Sequence, residues 1–412
     1  MASTDASAYS APGIDHQGGT SMTRTQSTVD PEGLREFSVV FTDRSLNHMS
    51  RKFQDVMRDI SEMLCDVYGA EAAVVVPGGG SYAMEAVARQ FATGARVLVI
   101  RNGWFSYRWT QIFETGSIPT SETVLKARRT EDSHEAPFAP APIAEVVAAI
   151  RSEKPDVVFA AHVETASGIM LPDDYVRAVA DAVHEAGGIF VLDCIASGAI
   201  WVDMAALDVD VLISAPQKGW SSSPSGGLVM LRSRGLARLA ETKSTSFVCD
   251  LRKWHDIMCA YLGGGHAYHA TMPTDALTVF RDRMAETKAF GFDAARAAQE
   301  AMGAKVRAML AERGVNSVAA PGFEAPSVVV SYTDDPDIQN GARFAAQGMQ
   351  IAAGVPLQCD EPEDYRTFRL GLFGLDKLRD VDGTVADLGR TLDVVLRRGW
   401  NAGAQAAEGG RA

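Results

Sequence analysis

Two short segments of the 412-residue chain close apolar runs on groups that can do chemistry. Ile189-Phe-Val-Leu-Asp193 ends in a carboxylate, a group rarely left buried without a cation or hydrogen-bond donors around it. Further along, Val211-Leu-Ile-Ser-Ala-Pro-Gln217-Lys218 leads from an apolar run to a lysine, followed by the small-residue run Trp220-Ser-Ser-Ser-Pro-Ser-Gly-Gly227. A lysine at the carboxyl end of a strand, beside such a loop, is placed to carry a Schiff base. Taken alone, Asp193 is a helix N-cap and Lys218 a solvated loop lysine. A third segment changes that reading. Val76-Pro-Gly-Gly-Gly80-Ser81-Tyr-Ala-Met-Glu-Ala follows an apolar run and opens a helical pattern, so free backbone N–H groups and the helix dipole can cradle a phosphate. It has neither the Lys-Ser/Thr of a Walker loop nor the spacing of a dinucleotide fingerprint.

The elements that must position these groups follow from periodicity. Apolar runs at 72–76, 96–100, 156–161, 189–193, 210–214 and 227–231 alternate with helical patterns such as Tyr82 to Phe91 and Tyr175 to Ala186. That rhythm predicts parallel strands joined by crossover helices, preceded by a helix carrying Phe53, Val56, Met57, Ile60, Met63, Leu64 and Val67. A large α/β domain is expected over 37–276. From Leu277 the pattern becomes a long helical stretch to Gly314, a strand at 327–332, a helix near 341–353, a strand at 367–371 and a last helix at 383–397. A smaller α+β domain is therefore expected over 277–400. Residues 1–36, rich in Ser, Thr, Gly and Asp, and residues 401–412 read as flexible tails, and the Pro/Ala-rich run from Ala136 to Pro142 reads as surface.

Composition excludes several classes of function. With 46% hydrophobic and 22% charged residues the chain reads as globular, and its longest apolar stretch, Ile195 to Ala215, is interrupted by Asp203, Asp208 and Asp210. No membrane partner is expected. The 39 basic and 52 acidic residues give a net charge of -13, which opposes a nucleic-acid surface. Five cysteines, at 65, 194, 249, 259 and 359, form no CxxC pair and point to a reducing cytoplasm.

Together, Ser214-Ala-Pro-Gln-Lys218-Gly, Leu192-Asp193-Cys-Ile-Ala-Ser197, His162-Val-Glu-Thr165-Ala-Ser-Gly168, the glycine loop at 78–81 and Phe368-Arg369-Leu-Gly-Leu-Phe-Gly374 carry a resemblance. Over roughly residues 40 to 400 the chain resembles the class V aminotransferases of the fold-type I pyridoxal-phosphate enzymes, close to the alanine-glyoxylate and serine-glyoxylate group. The resemblance implies a mainly parallel seven-stranded sheet in the large domain, pyridoxal 5'-phosphate as cofactor, and a homodimer that shares its active sites. It implies that Lys218 holds the cofactor covalently and Asp193 pairs with the pyridine nitrogen. It further implies that Gly79, Gly80, Ser81 and Gln217 bind the phosphate, that Trp104 stacks on the ring, and that Thr165 lies near the ring oxygen. Tyr268 and Thr271, in Tyr268-His-Ala-Thr271-Met-Pro, fit residues that complete the neighbouring subunit's phosphate site. Where that group often carries Ser and His, the glycine loop here has Gly79 and Ser81, which leaves the amino donor open.

The chemistry expected is amino transfer from a small 2-amino acid, such as alanine or serine, to a 2-oxo acid such as glyoxylate or pyruvate, in ping-pong order. Arg369 would clamp the substrate carboxylate through a bidentate fork. Tyr107 and Arg108 could meet a substrate side chain, His162 reads as a lining residue, and Gly263 to Gly265 as a helix stop. Two alternatives stand beside this reading. One is a cysteine desulfurase or other lyase using Cys359 as nucleophile; the other is a non-catalytic binding protein on the same fold.

Overall fold

Strands buried on both faces need continuous apolar runs, and those runs become one seven-stranded sheet. A computed structural model describes residues 27–397. The strands are β1 (Ala72–Pro77), β2 (Arg96–Arg101), β3 (Ser121–Lys126), β4 (Val157–Ala161), β5 (Ile189–Asp193), β6 (Val211–Ser214) and β7 (Gly226–Leu231). Their spatial order is β1-β7-β6-β5-β4-β2-β3. Only β7 runs against its neighbours; β6, β5, β4, β2 and β3 pair in parallel. Because β7 opposes both β1 and β6, the carboxyl ends of β1, β2, β4, β5 and β6 meet at one edge, where open α/β sheets bind ligands. Asp193, last in β5, lies level with Ala161 of β4 and Ile213 of β6.

Helices cover both faces. The expected first helix is α1 (Arg51–Tyr68), capped by the Ser50 hydroxyl, which accepts from the Phe53 N–H, and stopped by Gly69 at φ +62°. Two more elements matter for the site: α2 (Gly80–Val87) after β1 and α3 (Trp104–Gly116) after β2. A second sheet, of strands β8 (Val328–Tyr332), β9 (Ala352–Ala353) and β10 (Thr367–Gly371), has the antiparallel order β8-β10-β9, with helices Phe292–Glu312 and Val381–Val395 packed together beside it. No helix among the described residues is long and apolar enough to cross a membrane.

Several expectations are corrected. The long helical stretch from Leu277 is two helices, Thr274–Phe290 and Phe292–Glu312, broken at Gly291 with φ +99°. The helix near 341–353 shrinks to Ala342–Ala345, because Gly348 adopts φ +75° and the chain then enters β9. Residues 1–26 of the expected N-terminal tail, and the expected tail at 401–412, lie outside the described residues. Strand β3 went unread because Ser121-Glu-Thr-Val-Leu-Lys is a polar edge strand with no fully buried residue.

The run from Ala136 to Pro142 is not surface: Ala136, Phe138 and Ala141 are buried. The Phe138 N–H donates to Val318 O at 2.7 Å, its carbonyl accepts from Ala320 N–H at 2.9 Å, and the Tyr332 hydroxyl donates to Ala136 O at 2.7 Å. Phe138 shares a buried cluster with Ala166, Val330 and Leu357, which welds the loop between the two sheets. Phe138→Ala is expected to cost about 3 to 5 kcal/mol in urea unfolding. A change of about 0.5 kcal/mol or less would return the loop to the surface.

Candidate active site

Asp193 is 7% exposed, and its Oδ1 accepts the Ile195 N–H at 2.9 Å. Burial pushes its carboxyl up to about 7; the Ile195 N–H opposes the rise, Glu164 adds to it, and the Arg108 charge also opposes it. Lys218 follows β6 through the turn Ala215-Pro-Gln217. Burial lowers the basicity of its amine, and the nearby Arg369 charge lowers it further. The Lys218 Nζ lies 4.8 Å from the centre of the Phe373 ring.

The lysine loop is pinned on the segment that leaves Asp193. A Cβ on Gly219 would come within 2.1 Å of Gly198 O, so only glycine permits this approach. Beyond it, Ser221 sits at φ +55° and its hydroxyl accepts the Leu375 N–H at 2.6 Å, tying the loop to the second sheet's side of the site. The glycine loop packs against the same segments. A Cβ on Gly80 would meet Ile195 Cδ1 at 2.6 Å, whereas one on Gly79 would meet nothing within 4 Å, so a cradle is open above Gly79. Helix α2 starts there without a side-chain cap, leaving its first N–H groups for a ligand. The Gln217 Oε1 is buried without a hydrogen-bond partner.

The aromatic wall comes from α3, and a residue absent from the sequence reading sets it. Glu164 is fully buried; its Oε1 accepts the N–H groups of Phe105 (3.1 Å) and Ala166 (2.9 Å). Its Oε2 accepts the N–H (2.8 Å) and hydroxyl (2.7 Å) of Ser106. This carboxylate caps α3 from outside and complements its dipole. The capped turn places Phe105 beside two arginines: the guanidinium carbon of Arg369 is 5.4 Å, and that of Arg108 5.1 Å, from the Phe105 ring centre. Trp104, the expected stacking residue, packs its ring on Tyr107 at 5.6 Å.

Arg369 sits in β10, 9% exposed, its Nε donating to Ala353 O at 2.8 Å; burial lowers its pKa and Glu164 opposes that. Arg108 donates from Nη1 to the Ser81 hydroxyl at 3.2 Å. Thr165 is half-buried in the turn after Glu164. His162 is buried, with Nδ1 2.8 Å from the Ser197 hydroxyl and its N–H on Asp193 O at 2.9 Å, so it lines the site as expected. The expected helix stop is also found: the helix Leu251–Leu262 ends at Gly263, and Gly264 has φ +77°. Tyr268 and Thr271 are not brought to this edge within the chain. Both are exposed, their hydroxyls 3.1 Å apart, and Tyr268 faces His48 at 5.5 Å between ring centres.

An open cradle at a helix start, an orphaned polar atom on Gln217, a buried carboxylate with no ion pair among the described residues, a lysine of lowered basicity and an aromatic face fit pyridoxal 5'-phosphate. Such a set at the carboxyl ends of a mainly parallel sheet defines a fold-type I pyridoxal-phosphate enzyme. The Aminotransferase class-V family model matches residues 32–355, and the chain belongs to that family. It is a pyridoxal-phosphate-dependent aminotransferase. The chain is similar to the 2-aminoethylphosphonate–pyruvate transaminase of Paraburkholderia phymatum, 29% identical over 357 residues, 85% of this chain and 89% of that one. It is 31% identical to the enzyme of the same name from Burkholderia pseudomallei over 343 residues, 79% and 84% of the two chains. Among solved structures, alanine–glyoxylate aminotransferase from Nostoc sp. shares its fold with TM-score 0.72 and 21% identity, over 85% of this chain and 89% of that one.

His162 supplies a pH prediction. Burial holds its imidazole down at about 4, so the unfolded chain binds a proton near pH 6.5 that the folded chain refuses. Its stability is complete above 6.5 and is lost as pH falls toward 4. Urea unfolding of wild type against His162→Asn should show wild type losing about 2 kcal/mol more between pH 7.5 and 5. Parallel pH curves for the two proteins would contradict this.

Proposed function

We propose that the enzyme transfers an amino group from a small amine donor to pyruvate or glyoxylate, with Arg369 holding the anionic group of donor and acceptor in turn. The observation that carries this reading is Arg369 itself, a buried guanidinium without a carboxylate partner among the described residues, near Lys218 and over the Phe105 ring. A carboxylate and a phosphonate both suit that fork. The donors are therefore alanine, serine or 2-aminoethylphosphonate, the last supported by the names of the relatives.

Pyridoxal phosphate held here would supply an electron sink for the electrons released at the donor's Cα. Lys218 carries the cofactor, takes the proton from the donor's Cα and returns one to the acceptor's Cα. Asp193 keeps the pyridine nitrogen protonated. Phe105 covers one ring face and Trp104 backs it, Thr165 lies near the ring oxygen, and Gly79, Gly80, Ser81 and Gln217 hold the phosphate. The lyase alternative lacks support, because Cys359 is buried with its thiol pushed up to about 12, mainly by burial. The same reading assigns the cofactor to residues 37–276 and the substrate arginine to the smaller part, 277–400. Five free cysteines support a cytoplasmic enzyme.

The enzyme works as a homodimer in this reading, with Tyr268 and Thr271 reaching the neighbour's phosphate site. Supporting this, Tyr268 is 58% exposed with its hydroxyl turned to Thr271, and Phe247, Val248 and Leu262 are also exposed. Mixing inactive Lys218→Ala with an inactive Thr271→Ala variant should restore part of the activity through mixed dimers. A fully active monomer in light scattering would end the shared-site reading.

The function is tested by a donor panel against pyruvate and glyoxylate, following loss of the cofactor's absorbance. Arg369→Lys should weaken both half-reactions by about 2 to 3 kcal/mol, roughly 30- to 150-fold in kcat/KM. Sulfide release from cysteine that depends on Cys359, with no amino transfer from any donor, would replace this reading with the lyase.

A further inference from the structure

We propose that Arg108 supplies the positive charge that holds the cofactor's phosphate. The proposal rests on the reading that Gly79, Gly80 and Ser81 cradle that phosphate. A phosphate monoester is a dianion near neutral pH, and the cradle offers neutral donors: backbone N–H groups at the start of α2 and the Ser81 hydroxyl. Lys218 is committed to the cofactor's carbonyl end. Arg108 is the guanidinium that reaches the cradle, its Nη1 3.2 Å from Ser81 Oγ, so an oxygen bound at that hydroxyl falls within the same fork's range.

Some helix arginines on this chain take a carboxylate one turn away, as in Arg89–Glu85, Arg177–Asp181 and Arg296–Glu300, whereas others, such as Arg252 and Arg307, turn to backbone carbonyls. Among the described residues Arg108 has no such partner; it has the Ser81 hydroxyl and the edge of the site's aromatic wall. Its charge is felt by the Asp193 carboxyl, which places it inside the same electrostatic enclosure. Phe105 separates the roles of the two arginines. One guanidinium lies toward β10 and the substrate side, the other toward the glycine loop, at 5.4 and 5.1 Å from the same ring centre. A phosphate held at Ser81 would lie within reach of Arg108, leaving Arg369 and Lys218 for the substrate and the cofactor's carbonyl end. Arg108 therefore reads the phosphate rather than a substrate side chain.

The test compares two aldehydes that differ only in the phosphate. Resolved wild type, Arg108→Ala and Arg108→Lys are titrated with pyridoxal 5'-phosphate and with pyridoxal, and binding is read from the absorbance of the lysine-linked cofactor. Arg108→Ala should weaken pyridoxal 5'-phosphate roughly 10- to 150-fold and leave pyridoxal within about twofold of wild type. Arg108→Lys should recover most of the loss, since a point charge also serves a phosphate. Uptake of pyridoxal by Arg108→Ala shows that the variant is folded. Equal weakening of both aldehydes would assign Arg108 a structural role and overturn the proposal. So would unchanged cofactor affinity with a raised KM for one substrate. A wild-type chain that binds neither aldehyde would instead overturn the reading of Lys218 and Ser81 on which the proposal stands.

Discussion

At the end of β5 the fold holds a carboxylate that it does not satisfy. Asp193 is hemmed by β4 and β6, receives one backbone N–H, and has no ion pair among the described residues. Raising its carboxyl from 3.8 to about 7 corresponds to on the order of 4 kcal/mol against ionisation. In the proposed reading a protonated pyridine nitrogen would supply the missing cation and bring the carboxylate back into its ionised form. Cofactor binding would then be coupled to the stability of this edge of the sheet.

Glu164, three residues beyond the neighbouring strand β4, shows the opposite treatment of the same group. Its two oxygens accept four donors, three of them backbone N–H groups around the start of α3 and its own turn. Nothing is left for a ligand. What it provides is orientation: with the first turn of α3 fixed, Phe105 and Arg108, three residues apart, share one face of the helix. A Cβ at Gly103 would lie 2.8 Å from the Glu164 side chain, so the helix can approach the carboxylate this closely only with glycine at that position. One saturated carboxylate positions the aromatic wall, and the other is left with a single backbone donor.

The parts of this arrangement that could be read from the sequence are those written as local pattern. Continuous apolar runs revealed six strands, and a carboxylate and a lysine at two of their ends revealed the chemistry. What could not be read depended on partners distant in the chain. Glu164 and Asp193 look alike in sequence, since each follows an apolar run, and only the donors around them distinguish cap from binding group. Phe138 looks like loop because Pro and Ala surround it, yet Val318 and Ala320, about 180 residues later, pair with its backbone. The edge strand β3 hid because an edge needs polar residues rather than apolar ones.

Arg369 and Lys218 approach the site from different sheets, and their charges repel. Burial and then this repulsion lower the basicity of the lysine. In the proposed reading an anionic substrate group clamped by Arg369 would cancel part of that repulsion. The lysine would then hold a proton more firmly when it takes one from the donor's Cα. The arginine that selects the substrate by its charge would thereby strengthen the base that acts on it, through an anion placed between two cations held by two different sheets.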